Sequence, residues 1–256
     1  AVKLGLGIYF VNTICAVLFM VGLIKYCQKQ PFPWLSLAVG VPYLVLVVGM
    51  GYTRQAVALA FVFWGLSFLR VGTERKFFAM VMLGTLFHIS AIVNVPYMVL
   101  TRKKILWWYY LLFGLFIGAL YYLVTGLDLL QYYLAAVDYT LDIQSQGGAI
   151  RVFMNVLPVL VAFFFWNRIK MISPDYKIIK WMAIAALLSM PALNVSSTMV
   201  DRFALFLIPL QLALWPRIIA VQRTELSRSI WASIILSYYG LVLFIWFNYA
   251  THAYRW

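Results

Sequence analysis

Two arginines and a histidine carry the chemistry this chain can do. Arg54 stands in Thr53-Arg54-Gln55 and Arg202 in Asp201-Arg202-Phe203, each where an apolar run begins. Thr53 and Asp201 are expected as N-caps, which puts an arginine in the first turn of each helix. A helix start already presents free N–H donors and partial positive charge, so a cation there is mildly unfavourable. The same features favour an anion, phosphate above all, and a guanidinium adds a bidentate fork. Two such starts facing one cavity make a pyrophosphate clamp. The plainer alternative has Arg54 snorkelling to lipid headgroups and Arg202 pairing with its neighbour Asp201. His88 is one of two histidines and sits mid-run in Phe87-His88-Ile89-Ser90. A titratable ring at membrane depth is a functional candidate by default. Its alternative is a packing histidine bonded to a nearby carbonyl. His252, in the terminal tail, has no such claim.

The elements that must position these groups follow from composition. Of 256 residues, 65% are apolar and 11% charged, against about 45–50% and about 25% in soluble domains. Too few polar residues remain to cover a soluble surface, so the solvent for most of the chain is lipid. A soluble enzyme, a nucleic-acid-binding domain and a disulfide-built secreted module are excluded. The expected fold is an all-α polytopic membrane protein, one integral-membrane domain over 1–256 with about nine transmembrane segments of roughly 20 apolar residues each. The runs are Leu4–Ile24, Trp34–Gly49, Gln55–Leu69, Phe77–Leu100, Ile105–Thr125, Val152–Trp166, Ile178–Leu193, Phe203–Ile219 and Ile230–Tyr249. Cys15 lies in a span and Cys27 is expected in a loop, which suits neither a disulfide framework nor a metal site.

Lysine and arginine accumulate on the cytoplasmic side of membrane proteins. The basic connections are Lys25/Lys29, Arg70/Arg75/Lys76, Arg102-Lys103-Lys104, Arg168/Lys170/Lys177/Lys180 and Arg217/Arg223/Arg228. With all five inside, the run 77–100 must start and finish on one face. It then reads as a re-entrant or broken helical hairpin with arms of about 11 residues meeting near His88, each reaching roughly half the bilayer core. One tilted helix with Arg102–Lys104 outside is the alternative, and it inverts every later loop. The hairpin is preferred. The net charge of +13 is then mostly topology, and the outer arginines are what topology leaves unexplained.

The longest outer (periplasmic) connection, 126–151, mixes Leu129, Tyr132, Tyr133 and Tyr139 with Asp128, Asp138 and Asp142, and ends in Gln144-Ser145-Gln146-Gly147-Gly148. Its first half reads as an amphipathic interfacial helix, its second as a turn. Tyrosines beside acids suit sugar rings, and they equally suit an aromatic belt at headgroup level. The polar run Asn194-Val195-Ser196-Ser197-Thr198 lies on the same side and either bonds hydroxyls or is a solvated loop. There is no Gly-rich phosphate loop, no HExxH and no DxD pair. A soluble nucleotide-sugar donor is therefore disfavoured, and a donor already in the membrane is implied.

Gly51-Tyr52-Thr53-Arg54-Gln55-Ala56-Val57-Ala58, then Lys76, then Leu86-Phe87-His88-Ile89-Ser90-Ala91, resembles the EpsG family, which contains Wzy-type polysaccharide and O-antigen polymerases of bacterial inner membranes. Asp201-Arg202-Phe203 ahead of a span holding Pro209 also fits. The likeness runs from about Leu37 to Trp256. The family's usual leading spans are not visible, so the chain is expected to be N-terminally short. The resemblance implies a glycosyltransferase whose site faces the periplasm or exterior. It would join oligosaccharide repeat units carried on undecaprenyl pyrophosphate, without cofactor or metal. Implied partners are the bilayer, a chain-length regulator and a flippase, with no nucleic acid. Physics and resemblance together nominate His88, Arg54, Arg202 and Asp201 as catalytic. Gln55, Ser90, Asp138, Tyr139 and Ser197 are nominated as substrate-binding. The arginines would stabilise charge on the leaving pyrophosphate, and His88, then Asp201, then Asp138, would take the acceptor proton. Two rivals stay open: a flippase of lipid-linked saccharide, and a membrane O-acyltransferase with His88 as base.

Overall fold

The computed structural model describes residues 7–69, 72–100, 111, 115, 147–194 and 197–249, and every regular element among them is helical. The elements are α1 (Gly7–Cys27), α2 (Pro33–Gly40, widening to π-helical bonding over Val41–Gly49), α3 (Thr53–Phe68), α4 (Glu74–Phe87), a 3-10 turn (Ile89–Asn94) and α5 (Tyr97–Leu100). Then come α6 (Gly148–Phe163), α7 (Trp166–Ile172), α8 (Tyr176–Ala192), α9 (Ser197–Ala204), a 3-10 turn (Leu205–Leu207), α10 (Pro209–Ala220) and α11 (Glu225–Tyr249). Apart from Leu111 and Leu115, the expected span Ile105–Thr125 lies outside the described residues, as does the expected interfacial helix in the first half of the 126–151 connection. Cys27, expected in a loop, instead closes α1 and is buried.

Among the described residues, hydropathy and length single out α1 and α11 as able to cross a bilayer, and up to four crossings result if two bent pairs each count as one. At about 1.5 Å per residue α1's 21 residues reach about 31 Å, the thickness of the hydrocarbon core. The bent pairs are α6 with α7, at 94°, and Val200–Leu207 with α10, at 42°. The break in the run 77–100 falls where the sequence placed it. Helix α4 ends at Phe87, His88 is extended, and Ala91 returns to within van der Waals reach of Gly84. The arms are unequal, however: 14 residues of α-helix, then a 3-10 turn and one helical turn.

Small residues set the packing around α3, as they do where helices share no hydrophobic drive between them. A Cβ on Gly22 of α1 would stand 2.2 Å from the Ala60 carbonyl oxygen, and one on Gly84 of α4 would stand 3.0 Å from that of Ala58. With the Tyr26–Phe63 ring contact and the packing of Phe77 on Gly65 as second points, α1 runs parallel to α3 and α4 antiparallel to it. The second central helix is α10, buried from Pro209 to Ile219. Its prolines leave carbonyls that a helix cannot satisfy, and neighbouring side chains take them up. Pro216 offers no N–H to Leu212, so the fully buried Ser36 hydroxyl donates to that oxygen at 2.9 Å. Before Pro209 the 3-10 turn turns the Ile208 N–H to the Leu205 oxygen, and the Asn155 amide donates to the Ala204 oxygen that this frees, at 2.8 Å. Asn155 also accepts from Gln211, which accepts from Tyr239, which accepts from Trp215, so this buried polar chain is closed across α6, α10 and α11.

The basic connections after α1, α7 and α10 meet at one end of the bundle, where α3 also ends beside α1; the expected basic connection Arg102–Lys104 lies outside the described residues. At that end Arg217, 4% exposed, bonds both Asp175 oxygens at 2.8 and 3.0 Å, the Ser173 hydroxyl and the Gln30 amide oxygen. A buried guanidinium is tolerable only when its donors are filled in this way, and the arrangement clamps three chain reversals together.

Candidate active site

The opposite end of the bundle collects the start of α3, the break at His88, the start of α6, and α9. Helix α3 begins at Thr53 with Tyr52 at the cap position and no side-chain cap bond. Thr53 is therefore the first helical residue rather than the expected N-cap. Arg54 keeps its place in the first turn and is exposed. The expectation for Asp201 is overturned more fully. Asp201 lies inside α9, whose helix starts four residues earlier at Ser197, and Arg202 stands in the last turn rather than the first. The Asn194–Thr198 stretch, expected either to bond hydroxyls or to form a solvated loop, ends in the first turn of α9 from Ser197. A cation in a last turn is favoured by the helix dipole, so Arg202 is comfortable where it is, and the matched-start argument applies to Arg54 alone.

The end of the bundle nevertheless draws several nominated residues together. The buried Gln55 amide reaches the Arg202 carbonyl oxygen at 3.4 Å, tying the start of α3 to the end of α9. The exposed Arg202 side chain lies within electrostatic reach of the His88 ring. The 3-10 turn after His88 packs on α3 and on the turn 205–207. His88 caps its own turn, with Nδ1 accepting from the Ser90 N–H at 3.3 Å. Ser90 thus enters through its backbone, and its side chain is half-buried. A neutral ring accepting at Nδ1 carries its proton on Nε2. Ser197, half-buried, opens α9. Asp138 and Tyr139 lie outside the described residues.

Asp201 does not pair with Arg202. Its carboxylate meets Arg151 Nη1 at 2.5 Å, across 50 residues of chain. Asp201 is 7% exposed, and Arg151 also donates from Nε to the Gly147 oxygen at 3.2 Å and stands 5.9 Å over the Tyr43 ring. In the sequence Arg151 closes the outer 126–151 connection, with nothing to mark it further. In fact α6 begins at Gly148, so Arg151 sits in its first turn. The sign of the outer charges was the available signal. Which of Asp128, Asp138, Asp142 and Asp201 would meet Arg151 was not readable from one chain. Neither Arg54 nor Arg202 makes an ion pair among the described residues.

Chemically, this end offers exposed guanidinium groups, an imidazole and helix-start N–H donors, set on buried supports. That is an arrangement for holding an anion next to a proton acceptor. The sequence pattern of the EpsG family matches residues 1–256, the whole chain, and so extends through α1, beyond the stretch from Leu37 that carried the resemblance. No curated protein and no solved structure matches the chain.

Proposed function

The chain belongs to the EpsG family, associated with Wzy-like polymerases, and from that premise we propose that it is a glycosyltransferase polymerising oligosaccharide repeat units carried on undecaprenyl pyrophosphate. The product is a surface polysaccharide: O-antigen, capsule or exopolysaccharide. In this reading eight of the nine apolar segments cross the inner membrane and the ninth, 77–100, is re-entrant. The basic end faces the cytoplasm, and the His88–Arg202 end faces the periplasm or exterior. A chain-length regulator and a flippase are its partners.

The observation that carries the reading is the meeting of Arg202, Gln55 and the His88 turn at the end opposite the basic connections. Breaking the anomeric C–O bond puts charge on the leaving pyrophosphate. Arg202, with Arg54 at the α3 start, neutralises it as it forms. The acceptor hydroxyl of the next lipid-linked unit attacks the anomeric carbon and gives its proton to His88. The ring's lone pair is on Nδ1, so the proton goes there and the long Ser90 bond is given up. Asp201, spoken for by Arg151, serves as support rather than as base. Gln55 supports Arg202 through its backbone oxygen, and Ser197, Asp138 and Tyr139 are left to contact the glycan. Glycan analysis of a strain lacking the gene tests the proposal. Surface material cut to a single repeat unit, still delivered to the surface, supports a polymerase. Loss of every surface unit would instead indicate a flippase.

A further inference from the structure

Helix α9 carries Arg202 but has little with which to place itself. It is eight residues long, below what stands alone in water or at an interface, and a 3-10 turn and a bend separate it from α10. Its position comes from α6. Arg151 and Asn155 stand four apart on that helix and therefore share one face. Arg151 grips Asp201 at 2.5 Å, and Asn155 grips the Ala204 oxygen at 2.8 Å. The gripped residues flank Arg202 on either side. Unlike Arg54 and Arg202, which are exposed, the Arg151 side chain is largely enclosed by Asp201, the Gly147 carbonyl and the Tyr43 ring.

We propose that Arg151 is the positioning residue of the site: through its ion pair with Asp201 it sets the register of α9 on α6 and aims the Arg202 guanidinium at the end of the bundle where His88 lies. Two kinds of arginine then share this end, one that holds the frame and two that meet the anion. The catalytic half of the claim rests on the polymerase reading, whereas the anchoring half does not.

Full-length protein in lipid nanodiscs tests both halves, with Arg151→Ala, Arg151→Lys, Asp201→Asn and the charge-reversed pair Arg151→Asp/Asp201→Arg. Hydrogen exchange over 197–207 rises about tenfold in Arg151→Ala and Asp201→Asn, and returns toward the parent in the reversed pair. With lipid-linked repeat units as substrate, the single variants lose about thirtyfold in kcat while KM stays within about twofold, and the reversed pair recovers most of the loss. Arg151→Lys keeps the charge and the protein level and falls between. Unchanged exchange in Arg151→Ala overturns the proposal whatever reaction the protein performs. So does a KM rise of about tenfold that the reversed pair fails to restore, because Arg151 would then be a ligand of the substrate. Parent protein that shows the exchange pattern yet builds no polymer refutes the polymerase reading and upholds the anchoring.

Discussion

Arg202→Ala separates the chemistry of this end from its architecture. The guanidinium is exposed and makes no ion pair among the described residues. The bond from Gln55 goes to the Arg202 backbone oxygen, which the substitution leaves in place. Truncation should therefore change stability by no more than about 0.5 kcal/mol, as at ordinary surface positions. If the side chain neutralises the leaving pyrophosphate, its loss removes a donor aimed at developing charge, worth about 2.7–4 kcal/mol or 10²–10³ in kcat. Arg202→Lys keeps the charge and loses the fork, so it should lose roughly tenfold, about 1.4 kcal/mol. Combined with Arg54→Ala, the loss should fall short of the product of the two single losses, because both groups act on one pyrophosphate. The assay is extension of lipid-linked repeat units in nanodiscs, read as a polymer ladder, beside thermal unfolding of the same preparations. Polymer within about threefold of the parent, or a fall in polymer matched by a fall in stability, would refute the reasoning.

Other expectations follow from the same contacts. His88→Ala should lower chain growth by about 10²–10⁴ with normal insertion in the membrane, measured by the same ladder. Gly22→Leu sets a side chain 2.2 Å from the Ala60 oxygen; it should cost about 1–3 kcal/mol and shrink the yield of monodisperse protein on size exclusion. Ser36→Ala leaves the Leu212 carbonyl without the donor that Pro216 withholds, at about 1–3 kcal/mol. Pro216→Ala in that background restores an N–H four residues on and should recover part of the loss in thermal unfolding. A cycle with no coupling would remove the argument.

Much of the fold could be read along the chain because a bilayer makes the signal local. Every backbone group in lipid must be satisfied within its own segment, so an apolar stretch has few options besides a helix. Leu4–Ile24, Trp34–Gly49, Gln55–Leu69, Val152–Trp166 and Ile178–Leu193 reappear as helices shifted by a few residues. The break at His88 was readable because two basic flanks cannot both be inside unless the chain turns back. Caps were read less well. Asp201 satisfies the pattern of a helix start, but an aspartate is equally welcome within a short helix when a guanidinium from elsewhere meets it, and a polar stretch such as Asn194–Thr198 gives no warning that a helix begins in it.

By itself, then, the sequence determined that this is a lipid-solvated bundle of helices, which ends carry the basic connections, and that Arg54, Arg202 and His88 call for explanation. Tertiary structure alone decided that Asp201 belongs to Arg151, that Gln55 reaches the far side of Arg202, and that Ser36 repairs what Pro216 breaks. The reason is physical. Hydropathy is a property of a segment, summed over its own residues, whereas an ion pair or a borrowed hydrogen bond depends on helix register across tens of residues, and a register shift of one residue, about 100° of helix rotation, changes every partner.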